Sequence, residues 1–258
     1  TIEDGFKFIN TGTIDKWQSL WGDYETQYIK DKYRYPWVPR TKLKVAMQNR
    51  LEQANQYKLI IAGMAKEFEV FPDLEGKFFA GKSTVILIEN IENIKVLATI
   101  LNSPLASFIL NVENHGFKMS GGYITINSDM INNLPVPLIS SNLKLIIARL
   151  VDYLLLLLRF GNGRKNAIFY SSLLKRLLNA LIYELYLPQI MTSSGLFFAE
   201  NLSNIDDIAM ITINEKKEKI VFDFCSNISR KDSKINSNLF MLNTIPAIAH
   251  IETNNENI

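Results

Sequence analysis

The chain has 258 residues, 47% hydrophobic and 21% charged, and its 28 Lys/Arg against 26 Asp/Glu leave a net charge of only +2. That is globular composition rather than disorder or low complexity, and it withholds the global positive charge of many nucleic-acid binders, so an anionic partner must be met by a local patch. One cysteine, Cys225, and two histidines exclude an internal disulfide and a CxxC metal site, argue against a zinc centre, and point to a reducing, cytoplasmic setting.

Thr1 is not an initiator Met and opens no basic or apolar leader, which predicts a piece of a longer protein rather than a signal peptide. Segment by segment the charge is uneven: residues 1–66 carry 11 Lys/Arg against 7 Asp/Glu and residues 140–191 carry 7 against 2, whereas 67–139 carry 4 against 8 and 192–258 carry 6 against 9. The basic character therefore lies in the first quarter and in one later segment.

From 6 to 37 the text is turn-rich and aromatic, with Trp17, Trp21, Tyr24, Tyr28, Tyr33 and Tyr35-Pro36-Trp37. Residues 57–62 and 84–88 are β-branched apolar runs of strand length, and 68–71 alternates in the strand manner. Helical spacing follows at Ile94, Leu97, Ala98, Leu101, Leu105 and Phe108. Asn102-Ser103-Pro104 makes this one helix or two. His115-Gly116-Phe117-Lys118-Met119-Ser120-Gly121-Gly122 predicts a loop, and Tyr123-Ile124-Thr125-Ile126-Asn127 a strand closing on Asn133-Leu134-Pro135-Val136-Pro137.

At about residue 140 the hydrophobic period changes from two to 3.6. Residues 143–160 and 168–187 predict a helical hairpin around Gly161-Asn162-Gly163-Arg164. Lys144, Arg149, Asp152 and Arg159 interrupt its apolar run, so no membrane span is expected. Leucines 154–158 cover more than one helix face, which predicts that another element or chain covers part of them. Beyond Ser193, 208–213 and 219–224 read as a β-hairpin turning at Asn214-Glu215-Lys216-Lys217, with Cys225 at its end. Residues 240–242 and 248–251 are short strand-like or helical pieces, and 254–258 should fray. The fold class expected is α+β, with a mixed-sheet domain (1–139), a helical hairpin (140–191) and a small α/β C-terminal extension (192–258).

Gly76-Lys77-Phe78-Phe79-Ala80-Gly81-Lys82-Ser83 satisfies the GxxxxGK[ST] phosphate-loop spacing. That loop must end in a helix, whose N-terminus completes the anion site, and a β-branched run follows instead. No Ser/His/Asp, Cys/His or paired-carboxylate arrangement stands out, so this piece reads as non-catalytic. What remains are loop cations and polar groups among aromatic residues: Arg34, Arg40, Lys42, Lys44, Lys66, Lys82, Ser83, His115, Lys118, Ser120 and Tyr123. Taken singly, these are equally the makings of a solvated surface.

Their order adds something. Phe8-Ile9-Asn10-Thr11-Gly12-Thr13-Ile14-Asp15, Lys58-Leu59-Ile60-Ile61, Gly81-Lys82-Ser83-Thr84, the run LATILNSPLAS over 97–107, Gly122-Tyr123-Ile124-Thr125-Ile126-Asn127 and Asn133-Leu134-Pro135-Val136-Pro137 follow one another. The succession resembles the TaqI-like C-terminal specificity domain of DNA adenine-N6 methyltransferases and fused type IIG restriction-modification enzymes. The resemblance implies double-stranded DNA as partner. It also implies a methyltransferase domain N-terminal to Thr1 that would bind S-adenosylmethionine. The glycine-containing loop for that cofactor and the Asn/Asp-Pro-Pro-Tyr/Phe tetrapeptide are absent here, so this piece is expected to take no cofactor and no metal.

Under that reading Arg34, Arg40, Lys42 and Lys44 hold phosphates, while Met64-Ala65-Lys66, Lys82-Ser83 and 115–123 enter a groove. Gly121-Gly122 either lets the backbone approach closely or is a plain turn. The hairpin is either a docking spacer or a supporting bundle. Two alternatives are a specificity subunit similar to those of type I restriction systems, and a protein-interaction scaffold with no role on DNA.

Overall fold

The structure is a computed structural model that describes residues 5–28, 30–43, 48–202 and 204–256. It is a mixed α+β chain that separates into two units, one reaching Asn102 and adding Ala106–Pro135, the other formed by Ser103–Leu105 and the chain from Val136 onward.

In chain order the first unit contains β1 (Gly5–Ile9), β2 (Ile14–Asp15), β3 (Gln18–Ser19), β4 (Thr26–Tyr28), β5 (Asp31–Tyr33), β6 (Trp37–Pro39) and α1 (Gln48–Asn55). It continues with β7 (Lys58–Ala62), β8 (Met64–Ala65), β9 (Val70–Asp73), β10 (Phe78–Ala80) and β11 (Thr84–Ile88). Helices α2 (Ile91–Leu101) and α3 (Pro104–Glu113), strand β12 (Ile124–Thr125) and helix α4 (Ser128–Asn132) complete this stretch of chain.

Strand β7 is the centre of an antiparallel sheet ordered β11-β7-β9. Leu59, Ile60, Ile61 and Ala62 are all fully buried, which is why its text is an unbroken apolar run rather than an alternation. Lys58 begins that strand, also fully buried. Its ammonium donates to Asp73 Oδ2 at 2.5 Å and to the carbonyls of Ala54 and Gln56. Asp73 Oδ1 accepts from the amides of Glu75 and Lys77, and Oδ2 from Phe78. One ion pair thus ties the end of α1 and the start of β10 to the sheet. Burial lowers the lysine pKa more than the neighbouring Asp73 raises it.

A second sheet, β10-β1-β6, sets β1 parallel to β10 and antiparallel to β6. Gly5 faces Pro39 at one end of β1 and Ile9 faces Ala80 at the other.

The α2–α3 junction explains the polar residues inside an apolar helical text. Asn90 caps α2 through the Asn93 amide. Asn102 ends it and bonds the outer edge of β9 at two points, accepting from Val70 N at 3.1 Å and donating to Val70 O at 2.9 Å. Ser107 then accepts from Phe68 N, and Asn111 donates to Lys66 O. Residues 66, 68 and 70 recur with the strand period of two, and the helices supply a side chain for each. An edge that would otherwise be buried with unsatisfied backbone is closed, and the chain bends at Lys66 and Glu67.

The second unit is helical: α5 (Ser141–Phe160), α6 (Ala167–Tyr186), α7 (Pro188–Ser193), α8 (Asn214–Ile228), α9 (Lys234–Leu242) and α10 (Pro246–Glu256). Ser140 caps α5 through the Leu143 amide. Leu154 and Leu157 are buried, and Phe224 of α8 stands edge-on to Tyr153 of α5 at 5.3 Å between ring centroids. Phe222 meets Phe160 and Tyr170, so α8 reaches both arms of the hairpin. Arg176 of α6 donates to the Leu239 carbonyl of α9, and Tyr183 to Glu252 of α10.

The β-hairpin expected over 208–224 is corrected by this unit. Residues Ile208–Met210 form a 3₁₀ turn and 214–228 the single helix α8, so the extension is helical rather than α/β. Its buried residues Val221, Cys225 and Ile228 fall at helical spacing. Of the expected turn Asn214-Glu215-Lys216-Lys217, the last three are strong helix formers and open the first turn of α8. No single described helix is long and apolar enough to cross a membrane.

Candidate nucleic-acid interface

Where β7 ends, the chain passes through Gly63 into β8, and four segments meet there. Gly63 N donates to Ser83 O at 2.9 Å and to Thr11 Oγ1 at 3.2 Å, while Gly63 O accepts from Ile126 N at 3.0 Å. Thr11 N donates to Ser83 Oγ, Thr11 Oγ1 to Ser83 O, and Ser83 Oγ to Asn10 Oδ1. Gly81 N donates to Ile9 O at 2.8 Å. A Cβ on Gly63 would lie 2.3 Å from Ser83 O, and one on Gly81 2.6 Å from Asn10 Oδ1. Gly63 is required by close approach to backbone rather than by backbone angle, whereas a side chain at Gly81 would displace the Asn10 amide.

On the other side of Gly63, β8 pairs with β12, setting Ala65 opposite Ile124 and Met64 opposite Thr125. Lys66 thereby comes beside Tyr123, with its ammonium 5.8 Å from the ring centroid. The loop before β12 is closed on itself by Met119 N to Tyr123 O at 2.8 Å and Gly122 N to Met119 O at 3.0 Å. Gly121 and Gly122 both have positive φ, 81° and 82°, so the pair serves the turn.

Segments 8–14, 58–66, 76–88 and 114–128 contain no aspartate or glutamate. Lys66, Lys82 and Lys118 rise from them with Ser83, Ser120 and Tyr123. Lys82, Ser83, Ser120 and Tyr123 are exposed, and Lys66 and Lys118 half-buried. Lysines and hydroxyls are suited to phosphates and to the acceptor-rich edges of bases; the carboxylates Asp15, Glu67, Glu113 and Asp129 directly adjoin these segments.

The remaining predicted residues lie elsewhere. Arg34 donates through Nε to the Gly22 carbonyl at 2.9 Å. Arg40 stacks over Phe6 at 4.1 Å and donates to Asn55 Oδ1 at 2.5 Å. Both guanidinia are engaged with the protein, and Lys42 beside them is exposed. Arg40 and Lys42 follow β6 at the Gly5 end of β1, about 13 Å along the strand from the Ile9 end at ~3.3 Å per residue. That separation is close to the ~12 Å width of the major groove. His115 opens a 3₁₀ turn, but its side chain lies outside the described residues, as does Lys44.

Asn10, Thr11 and Gly63 hold the convergence and were not among the predicted site residues. Asn10-Thr11-Gly12 and the glycine after a fully apolar strand are visible in the text. Nothing in their spacing joins positions 52 and 72 residues apart, as the bonds from Thr11 do.

Other chemistries find little support. Gly76–Ser83 contains β10 and turns directly into β11, so no helix N-terminus follows Ser83. The junctions from β11 to α2 and from β12 to α4 pass through Glu89-Asn90 and Ile126-Asn127, with no glycine. Among the described residues no three His, Cys, Asp or Glu side chains are grouped to hold a metal ion. The Cys225 thiol is buried and pushed up to about 12, which suppresses thiolate at neutral pH. No protein-family model matches the chain, and no curated protein matches its sequence.

Proposed function

We propose that the chain reads double-stranded DNA sequence as the target-recognition part of a type IIG-like adenine-N6 methyltransferase. Cofactor binding and methyl transfer then belong to a catalytic domain outside this sequence. The observation that carries the reading is the meeting of four separate, acid-free segments at Gly63. Those segments carry Lys66, Lys82, Lys118, Ser83, Ser120 and Tyr123 and are among the ones that resemble a specificity domain. Lys42, about a groove width away along β1, suits phosphate positioning across the groove, whereas the Arg40 guanidinium is engaged by Phe6 and Asn55.

Mobility-shift titrations of this chain on duplex DNA test the proposal. Binding should weaken as salt rises, and Lys118→Ala should lower affinity or relax sequence preference by ~1–3 kcal/mol. Unchanged affinity and preference would remove the 115–123 loop from the interface. Absence of salt-dependent binding to the duplex would favour a protein-interaction scaffold.

A further inference from the structure

The helical unit holds a cavity of about 340 Å³ where α6, the end of α9 and α10 meet, lined by Arg176, Asn179, Leu242, Asn243, Glu252 and Thr253 among others. Arg176, Asn179 and Tyr183 recur at i, i+3 and i+7, which puts them on one stripe of α6. Tyr183 is fully buried, and its phenol donates to Glu252 Oε1 at 2.6 Å. Burial, followed by the Glu252 charge, raises that phenol well above its ordinary pKa, so it stays a donor at neutral pH and fixes the carboxylate from behind. Arg176 uses one N–H donor on the Leu239 carbonyl at 3.1 Å. That bond anchors the guanidinium at the last turn of α9 and leaves the rest of its planar fork for another acceptor. Opposite charges thus line one cavity, and among the described residues no ion pair joins Arg176 to Glu252.

We propose that this cavity binds a free α-amino acid with an amide side chain, its carboxylate on Arg176, its ammonium on Glu252 and its amide against Asn179 and Asn243. The proposal is independent of the DNA reading. Charge complementarity selects the ligand. A simple anion drawn to Arg176 would also face the Glu252 carboxylate, and a simple cation drawn to Glu252 would face the guanidinium, whereas a zwitterion answers both with charge-assisted hydrogen bonds. Arg176 and Tyr183 stand about 10 Å apart along α6 at ~1.5 Å per residue, a spacing that suits a small molecule bridging the two charges rather than direct contact between them. The amides of Asn179 and Asn243 each offer both a donor and an acceptor, which is the pattern an amide side chain matches. Arg176 is exposed and Glu252 half-buried, so the ligand enters from solvent with its ammonium leading.

Isothermal titration calorimetry of the whole chain with L-glutamine and L-asparagine tests the site. At least one of them should bind with one-site stoichiometry. N-acetyl-L-glutamine, which lacks the ammonium, and L-glutaminamide, which lacks the carboxylate, should each bind at least tenfold more weakly than L-glutamine. Glu252→Gln keeps an acceptor for Tyr183 and should erase the preference over the N-acetyl compound alone. Arg176→Gln should erase the preference over L-glutaminamide alone. Tyr183→Phe, which removes only the hydroxyl behind Glu252, should weaken L-glutamine severalfold and serves if Glu252→Gln does not fold, as read by circular dichroism. No binding of either amino acid at millimolar concentration overturns the proposal. So do equal affinities for the three glutamine compounds, or an affinity that none of the folded variants changes. Inorganic phosphate binding that depends on Arg176, without amino-acid binding, assigns a plain anion site and also overturns it.

Discussion

At the scale of single residues, the buried polar groups of the first unit act through partners that sequence spacing conceals. The β7–β9 register sets Lys58 opposite Asp73, and in the text Lys58 is only the first letter of an apolar strand. Glu69 is a similar case with a measurable consequence. Burial, followed by the charges of Asp15 and Glu67, pushes its carboxyl up to about 7, against a smaller opposing effect of Lys16. The folded chain therefore keeps a proton that the unfolded chain has released above about pH 4.5. Its stabilising contribution is complete below that pH and is lost as pH rises through about 7. Glu69→Gln should match wild type in denaturant titrations near pH 4.5 and exceed it by about 1 kcal/mol at pH 8, a figure already reduced for solvent screening of a partly exposed group. Equal stabilities at pH 8 would mean that Glu69 ionises freely in the fold.

At the scale of elements, the central strand β7, its neighbour β11 and the break between α2 and α3 are legible because each is written in local chemistry. The first two are β-branched runs, and the third is an Asn-Ser-Pro interruption of a helical period. The C-terminal helices are less legible, since 219–224 is a β-branched and aromatic run of strand length and only its continuation to Ile228 reveals the helical spacing. The convergence at Gly63 is illegible in a different way. Each segment reads as an ordinary turn, and its meaning comes from hydrogen bonds between segments far apart in the chain. Gly63→Ala tests that junction: a methyl 2.3 Å from Ser83 O forces the 81–83 turn away, at a cost of about 1–3 kcal/mol typical of overpacking. The expected variant melts lower and binds DNA less well even though no cation has been removed. Full DNA affinity in a destabilised Gly63→Ala protein would separate the junction from the interface.

At the scale of the whole molecule, a net charge of +2 says little, because it adds acidic to basic stretches. The acidic sum of residues 67–139 is itself misleading, since its carboxylates fall outside the segments that meet at Gly63. The helical unit adds basic residues of its own, yet Arg176 and Arg164 are committed, to the Leu239 carbonyl and to Glu218 respectively. The recognition surface expected for this chain is small, local and dependent on few cations. Replacing Lys66, Lys82 and Lys118 together should reduce the salt slope of binding by about one unit for each phosphate no longer neutralised. The most direct measurement is selection of duplexes from a randomised pool by this chain, run beside that triple variant. A defined short sequence enriched by the wild-type chain and absent from the variant's pool is the expected result. Retention of DNA without enrichment, or the same enrichment by both proteins, would contradict sequence reading at the Gly63 convergence.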